Sequence, residues 1–281
     1  MVIRMSGEYE KSLIEFLYQY NNQKEYTVAW VPENYSEIVA YDKSSFILYI
    51  ENNEIVGCLG AYVSEEQKIA RLLGPIVIKK YYEKYVEEIY EQFLRNLPKD
   101  IKELRIAFFI ENKLCKDWCD EKGFELYNAE KTIVYRNEAY IEEKTETSVK
   151  LIPYEEKYKV GLSLVHPKGT FFTLEELISH INKNHHIILC VEENEVAGYI
   201  YYEITEDKKV GEIVLLHVRE DKRGKGYGTM LLKKTIKELI NVNVNEISTS
   251  VRVTNYEAQK LYERIGFMDK ETIYAYKKCL C

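Results

Sequence analysis

Apolar and polar positions alternate along two stretches of the chain. SFILYIENNEIVGCLGAYV (45–63) and HIILCVEENEVAGYIYYEI (186–204) each carry two β-rich runs around a polar turn. That pattern predicts a β-hairpin in each place. At an offset of 141 residues the two stretches correspond: Leu48 with Leu189, Ile50 with Val191, Glu51 with Glu192, Asn53 with Asn194 and Gly57 with Gly198. A second pair of segments, 111–125 and 254–268, corresponds at an offset of 143, with Asn112 over Asn255, Gly123 over Gly266 and Phe124 over Phe267. Each asparagine is a good N-cap, and each glycine suits the position where a helix ends. Ala258, Leu261, Tyr262 and Ile265 recur at i, i+3, i+4 and i+7, so a helix over 255–265 turns one apolar face inward. Two correspondences in the same order indicate a duplicated domain. The expected division is 1–140 and 141–281, with the polar segment 137–148 as linker.

The second half is the clearer copy. The pattern predicts strands over 149–153, 210–219, 246–253 and 271–276 around the hairpin, and a helix over 228–240. Thr173 with Glu176 reads as a capping box ahead of a short helix. The expected class is α/β (α+β): two tandem domains, each a mixed, mostly antiparallel sheet flanked by helices.

Composition narrows the function classes. An apolar fraction of 46% and a charged fraction of 30% are those of a globular protein. The net charge of -7 argues against nucleic acid as a partner and suits a cationic substrate. No apolar run is long enough for a membrane span, and the first residues lack a signal-peptide pattern, so a cytoplasmic protein is expected, monomer or homodimer. The six cysteines form no CxxC pair and the His185–His186 doublet opens a strand, so no metal site is expected.

The distinctive chemistry lies in RGKGYG, 223–228, between the strand over 210–219 and the helix after it. Alternate glycines permit positive φ and close approach to the backbone, and a helix N-terminus favours an anion. A Walker loop and a dinucleotide fingerprint both need other glycine spacings. Arg223-Gly224-Lys225-Gly226-Tyr227-Gly228, followed by Asn255, Tyr262, Gly266 and Phe267, resembles the GNAT superfamily of acetyl-CoA-dependent N-acetyltransferases. The resemblance is specific over about 148–281 and weaker over the first half. It implies a tandem GNAT protein with a degenerate amino-terminal copy.

The resemblance implies a role for each position. Acetyl-CoA would lie with its diphosphate on the amides from Gly224 to Thr229, beside Arg223. Lys225 reads equally as a solvated lysine. The pantetheine arm would follow Leu216, His217 and Val218, and Asn255 caps its helix and touches CoA. The acceptor would be a primary amine of a small molecule or peptide. An alkyl ammonium, with a pKa of about 10.4, needs a general base at neutral pH. Glu212 stands in the register of the family's strand glutamate, with His217 as the other candidate. Tyr262 stands where the family's acid protonates the leaving thiolate, and its place on the apolar stripe also suits a core aromatic. Residues 166–181 would shape the acceptor side; Phe171 and Phe172 within them suit the core better than a pocket wall. In the first half Arg71 replaces Glu212, Cys119 replaces Tyr262 and KKYYEKY (79–85) carries no glycine. That half is expected to be non-catalytic. Two other functions stay open: a non-catalytic acyl-CoA-binding or regulatory module, and transfer to a hydroxyl or thiol.

Overall fold

The computed structural model describes residues 1–29, 31, 46–136, 149–167, 172–205, 207 and 209–280. The expected linker, the start of the first hairpin at Ser45, and Phe171 with residues 168–170 lie outside them. The chain forms two compact units, residues 1–130 with 271–281, and residues 131–270.

The first unit begins with β1 (Val2–Arg4) and helix α1 (Glu10–Tyr20). The hairpin β2 (Ile47–Glu51) and β3 (Glu54–Ser64) follows, with Asn52 and Asn53 at positive φ in its polar turn. Then come β4 (Ile69–Val77), α2 (Tyr82–Asn96), β5 (Glu103–Phe109), α3 (Lys113–Glu121) and β6 (Glu125–Tyr135). Asn112 caps α3 through the N–H of Cys115 at 2.9 Å. The β1–β5 strands run in sequence order, antiparallel except for the parallel β4–β5 pair. Beside β5 lies a strand from the far end of the chain, with residues 273–279 paired antiparallel to 103–109.

The second unit repeats the plan. It contains β7 (Lys150–Pro153), α4 (Lys159–Val165), α5 (Leu174–His180) and the hairpin β8 (His185–Glu192) with β9 (Glu195–Ile204). After these come β10 (Val210–Val218), α6 (Tyr227–Asn241), β11 (Glu246–Arg252), α7 (Tyr256–Ile265) and β12 (Phe267–Cys279). The capping box forms: Thr173 Oγ1 takes the Glu176 N–H at 3.2 Å, and the Glu176 carboxylate takes the Thr173 N–H at 2.7 Å. Gly266 ends α7 at φ +110°, where only glycine sits without strain. Strand order is β7-β8-β9-β10-β11-β6. One face packs under α6 and α7 through Ile213, Leu231, Ile236 and Tyr262. The other packs under α4 and α5 through Leu162, Leu177, Tyr199 and Tyr201.

The expected class therefore holds, but the expected division into contiguous halves differs from the compact units. Residues 131–135 of β6 belong with the second unit, and 271–279 of β12 with the first. Strand pairing is non-local, and a periodic run specifies its buried face without naming the neighbour it hydrogen-bonds.

Candidate functional site

The glycine loop is shaped by backbone conformation. After β10 a short 3-10 turn, Glu220–Lys222, leads into it, and Gly224 and Gly226 take φ of +77° and +83°. A methyl group added at either would meet no atom within 4 Å, so the space beside them is open. Gly226 is also the residue before α6; its carbonyl accepts the Met230 N–H at 3.0 Å, the first α-helical bond. The N–H groups of the first turn, at Tyr227, Gly228 and Thr229, have no carbonyl one turn back. They stand at the positive end of the helix dipole, where an anion is favoured.

Two irregularities of β10 open a cleft beside this loop. Its parallel ladder to β11 covers only Val210–Ile213 against Glu246–Thr249. Its pairing to β9 slips between Ile213 and Leu215, a β-bulge. Beyond the bulge β10 continues without β11, leaving a cleft of about 360 Å³. Leu216, Val218, Arg223, Gly224, Gly226, Tyr227, Gly228, Thr229 and Tyr262 of the expected residues line it, with Lys222 and Leu261. Tyr262 is 6% exposed and meets the Phe267 ring edge-on at 5.2 Å. Burial raises its hydroxyl pKa, opposed in part by the Thr249 hydroxyl beside it, so the phenol is protonated at neutral pH. Thr249 Oγ1 donates to the Ile213 carbonyl at 2.7 Å, just where the two strands part.

Glu212 belongs to a different hollow of about 440 Å³, lined also by His185, Glu203, Asn182 and Thr205. Glu212 pairs directly with Glu203 across the β9–β10 ladder, and Glu203 pairs with His185 on β8. His185 Nδ1 lies 3.4 Å from the Glu203 carboxylate and 2.9 Å from the Tyr201 hydroxyl. Glu212 keeps much of its surface accessible, yet the walls of the hollow desolvate its carboxylate. That desolvation, and then the charge of Glu203, raise its pKa above the usual glutamate value. His217, the other candidate base, is partly buried. Its pKa is lowered by burial and by the charges of Arg223 and His166, which leaves a neutral imidazole at neutral pH.

The structure thus brings Tyr262 to the glycine loop and places Glu212 in a separate recess. His217 and Asn255 are absent from the residues lining the cleft. Asn255 serves as the helix cap, accepting the Ala258 N–H at 3.2 Å. Lys225, expected beside a diphosphate, points its ammonium at Glu192 at 3.2 Å. Tyr227 lines the cleft, while its hydroxyl donates to Glu192. Thr249 and Glu203 carried no sequence signal, and Glu192 carried only its correspondence to Glu51.

In the first unit the segment that corresponds to the glycine loop carries aromatic rings. Tyr49 and Tyr85 stack at 3.6 Å, with Tyr81 5.7 Å from Tyr85, and Cys119 is fully buried. Arg71, at the Glu212 position, donates to Gln67 at 2.9 Å. Among the described residues no group of three or more His, Cys, Asp or Glu is placed to hold a metal ion, and no helix is long and apolar enough to cross a membrane.

Residues 152–267 match the model of the acetyltransferase (GNAT) family. An uncharacterized N-acetyltransferase of Methanocaldococcus jannaschii is 36% identical over 85 residues, 30% of this chain and 53% of that protein. N-alpha-acetyltransferase 30 of Xenopus laevis is 34% identical over 85 residues, 29% of this chain and 31% of that protein. An N-alpha-acetyltransferase of Saccharolobus solfataricus is 33% identical over 99 residues, 31% of this chain and 59% of that protein. The chain therefore spans about a third to three fifths of these relatives' length. A GCN5-related N-acetyltransferase structure from Sphaerobacter thermophilus superposes with a TM-score of 0.67 at 12% identity, covering 99% of this chain and 95% of that one. A tandem GNAT protein from the clavulanic acid biosynthesis pathway gives 0.65 at 11% identity, covering 99% and 98%. Such low identities establish the fold alone. Through residues 152–267 the chain belongs to the GNAT superfamily of acetyltransferases, and its fold is that of a tandem GNAT protein.

Proposed function

We propose that the second unit transfers an acetyl group from acetyl-CoA directly to a primary amine, and that the first unit is a non-catalytic copy. One observation carries this reading: a single cleft gathers the open glycine loop, the amino-terminal turn of α6 and a buried, protonated tyrosine. Acetyl-CoA supplies an acetyl thioester, a diphosphate and an apolar arm. The residues present fit all three. Gly224 and Gly226 leave room for a diphosphate against the backbone, and the turn of α6 with Arg223 offers donors and positive charge. Leu216 and Val218 offer an apolar wall, and the part of β10 that has left β11 offers unpaired backbone.

The residues divide the proton work. Attack by a neutral amine on the thioester carbon forms a C–N bond and breaks the C–S bond. Tyr262 gives its hydroxyl proton to the departing sulfur, and Glu212 takes the proton the amine sheds, through water. The two recesses lie on opposite faces of the sheet, and in this reading the amine meets the thioester where β10 parts from β11. The names of the relatives favour a peptide α-amine as acceptor. An α-amine has a pKa of about 7.7–8.0, so far more of it is neutral at pH 7 than of a lysine side chain. Release of CoA thiol, measured against peptide α-amines, polyamines and amino sugars, tests the reading. Calorimetric titration with acetyl-CoA should give one site per chain. No release with any amine, or two equal sites, would refute it.

A further inference from the structure

The loop that lines the cleft is held from behind by one carboxylate. Glu192 ends β8 and its side chain is 14% exposed. It accepts from Lys222 Nζ at 2.7 Å, from Lys225 Nζ at 3.2 Å and from the Tyr227 hydroxyl. These three residues bracket Gly224 and Gly226. Nothing packs against those glycines, so side-chain packing does not fix the two positive φ values. Among the described residues, the side-chain bonds that tie 222–227 to the sheet converge on Glu192, apart from the Nε of Arg223, which donates to the Val218 carbonyl at 3.2 Å. Lys222 with its amine bound also holds Glu192 down to a pKa of about 2, so the clamp carries its full charge at any physiological pH.

The first unit supplies a contrast. Glu51, which corresponds to Glu192, accepts a long bond from Tyr85 at 3.4 Å and, among the described residues, no lysine bond. Of the three lysines of the corresponding segment, Lys80 and Lys84 lie over the Tyr81 and Tyr85 rings at 4.4 and 4.5 Å and Lys79 lies 6.0 Å from the Tyr26 ring. The clamp with two lysines occurs where the glycine loop occurs.

We infer that Glu192 is a positioning residue for the cofactor: by gripping Lys222, Lys225 and Tyr227 it holds the glycine loop open in the shape that receives a diphosphate. The inference rests on reading this loop as the diphosphate cradle. It also gives Lys225 a role distinct from ligand contact, which leaves Arg223 as the loop's projecting cation.

Glu192→Gln keeps the size of the side chain and removes the charge. It should raise the KM for acetyl-CoA about tenfold, the effect of losing one charge-assisted hydrogen bond. The value of kcat at saturation and the KM for the amine should stay as in the wild type. Tyr227→Phe removes one arm of the clamp and keeps the ring; it should raise the same KM about threefold, and it serves if Glu192→Gln fails to fold. A fall in thermal midpoint with the acetyl-CoA KM unchanged would make Glu192 a purely structural residue and overturn the inference. A lower KM would overturn it too, since the carboxylate would then be repelling the diphosphate. A wild-type chain that binds no acetyl-CoA in the calorimeter would remove the cradle itself, a result distinct from either.

Discussion

Replacing Tyr262 with phenylalanine removes one oxygen from the cleft and leaves everything that ring does for the core. The ring is 6% exposed, packs with the apolar cluster under α6 and α7, and keeps its edge-on contact with Phe267. Its hydroxyl neighbour, Thr249, retains a partner, because it donates to the Ile213 carbonyl at 2.7 Å. No buried donor is orphaned, so the loss of stability should stay near the low end for a single hydrogen bond, about 0.5–1 kcal/mol. In a unit of this size that lowers Tm by only about 1–4 °C. The chemical step should change far more. A positioned general acid contributes roughly 10²–10⁴-fold, or about 3–5 kcal/mol of barrier. Steady-state kinetics with thiol detection should show kcat falling by at least a hundredfold while the KM for acetyl-CoA holds within about twofold. The separation of the two effects makes the test sharp. Equal kcat in the variant would mean that the leaving sulfur finds its proton elsewhere and that Tyr262 is a core aromatic.

Two further predictions follow from the same geometry. Glu212 must be deprotonated to act as base, so kcat/KM should rise with pH through a pKa lying above the usual glutamate value, since desolvation by the walls of its hollow and then Glu203 raise it. Glu203→Gln removes the second cause and should move that limb to lower pH, while burial keeps part of the shift; an unmoved limb refutes the pairing. Gly226→Ala places a side chain at φ +83° in open space. Its stability loss, read as Tm and denaturation midpoint, should be only the conformational penalty of about 1–2 kcal/mol, accompanied by a raised KM for acetyl-CoA, and an unchanged KM would argue that the diphosphate lies elsewhere.

Much of this site is written locally. The turn of each hairpin, the caps at Asn112, Asn255, Thr173 and Gly266, and the two positive-φ glycines each depend on a few adjacent residues, and each stands where the pattern places it. The exchange of terminal strands was not legible, because β6 and β12 carry periodicity without an address. Nor was the grip of Glu192, whose partners lie 30, 33 and 35 residues away.

The bulge in β10 shows how one local irregularity redistributes chemistry. In an uninterrupted strand Glu212, Val214, Leu216 and Val218 would share a face, because side chains alternate with period two. On that geometry Glu212 would stand in line with the wall of the cleft beside the glycine loop. The slip between Ile213 and Leu215 turns both Val214 and Leu215 toward α4 and α5, and sends Leu216 and Val218 to the opposite cluster with Ile213. Glu212 is thereby left beside Glu203 and His185, and the cleft is left to Tyr262 and the loop. Separation of this kind has a chemical use. On the proposed reading, a base that shared the cleft with the diphosphate would meet a dense negative charge and hold its own proton more tightly than Glu212 does in its own hollow. In the proposed reaction the proton taken from the amine and the proton given to the sulfur would travel on different sides of one strand, near where β10 parts from β11 and Thr249 donates to the Ile213 carbonyl.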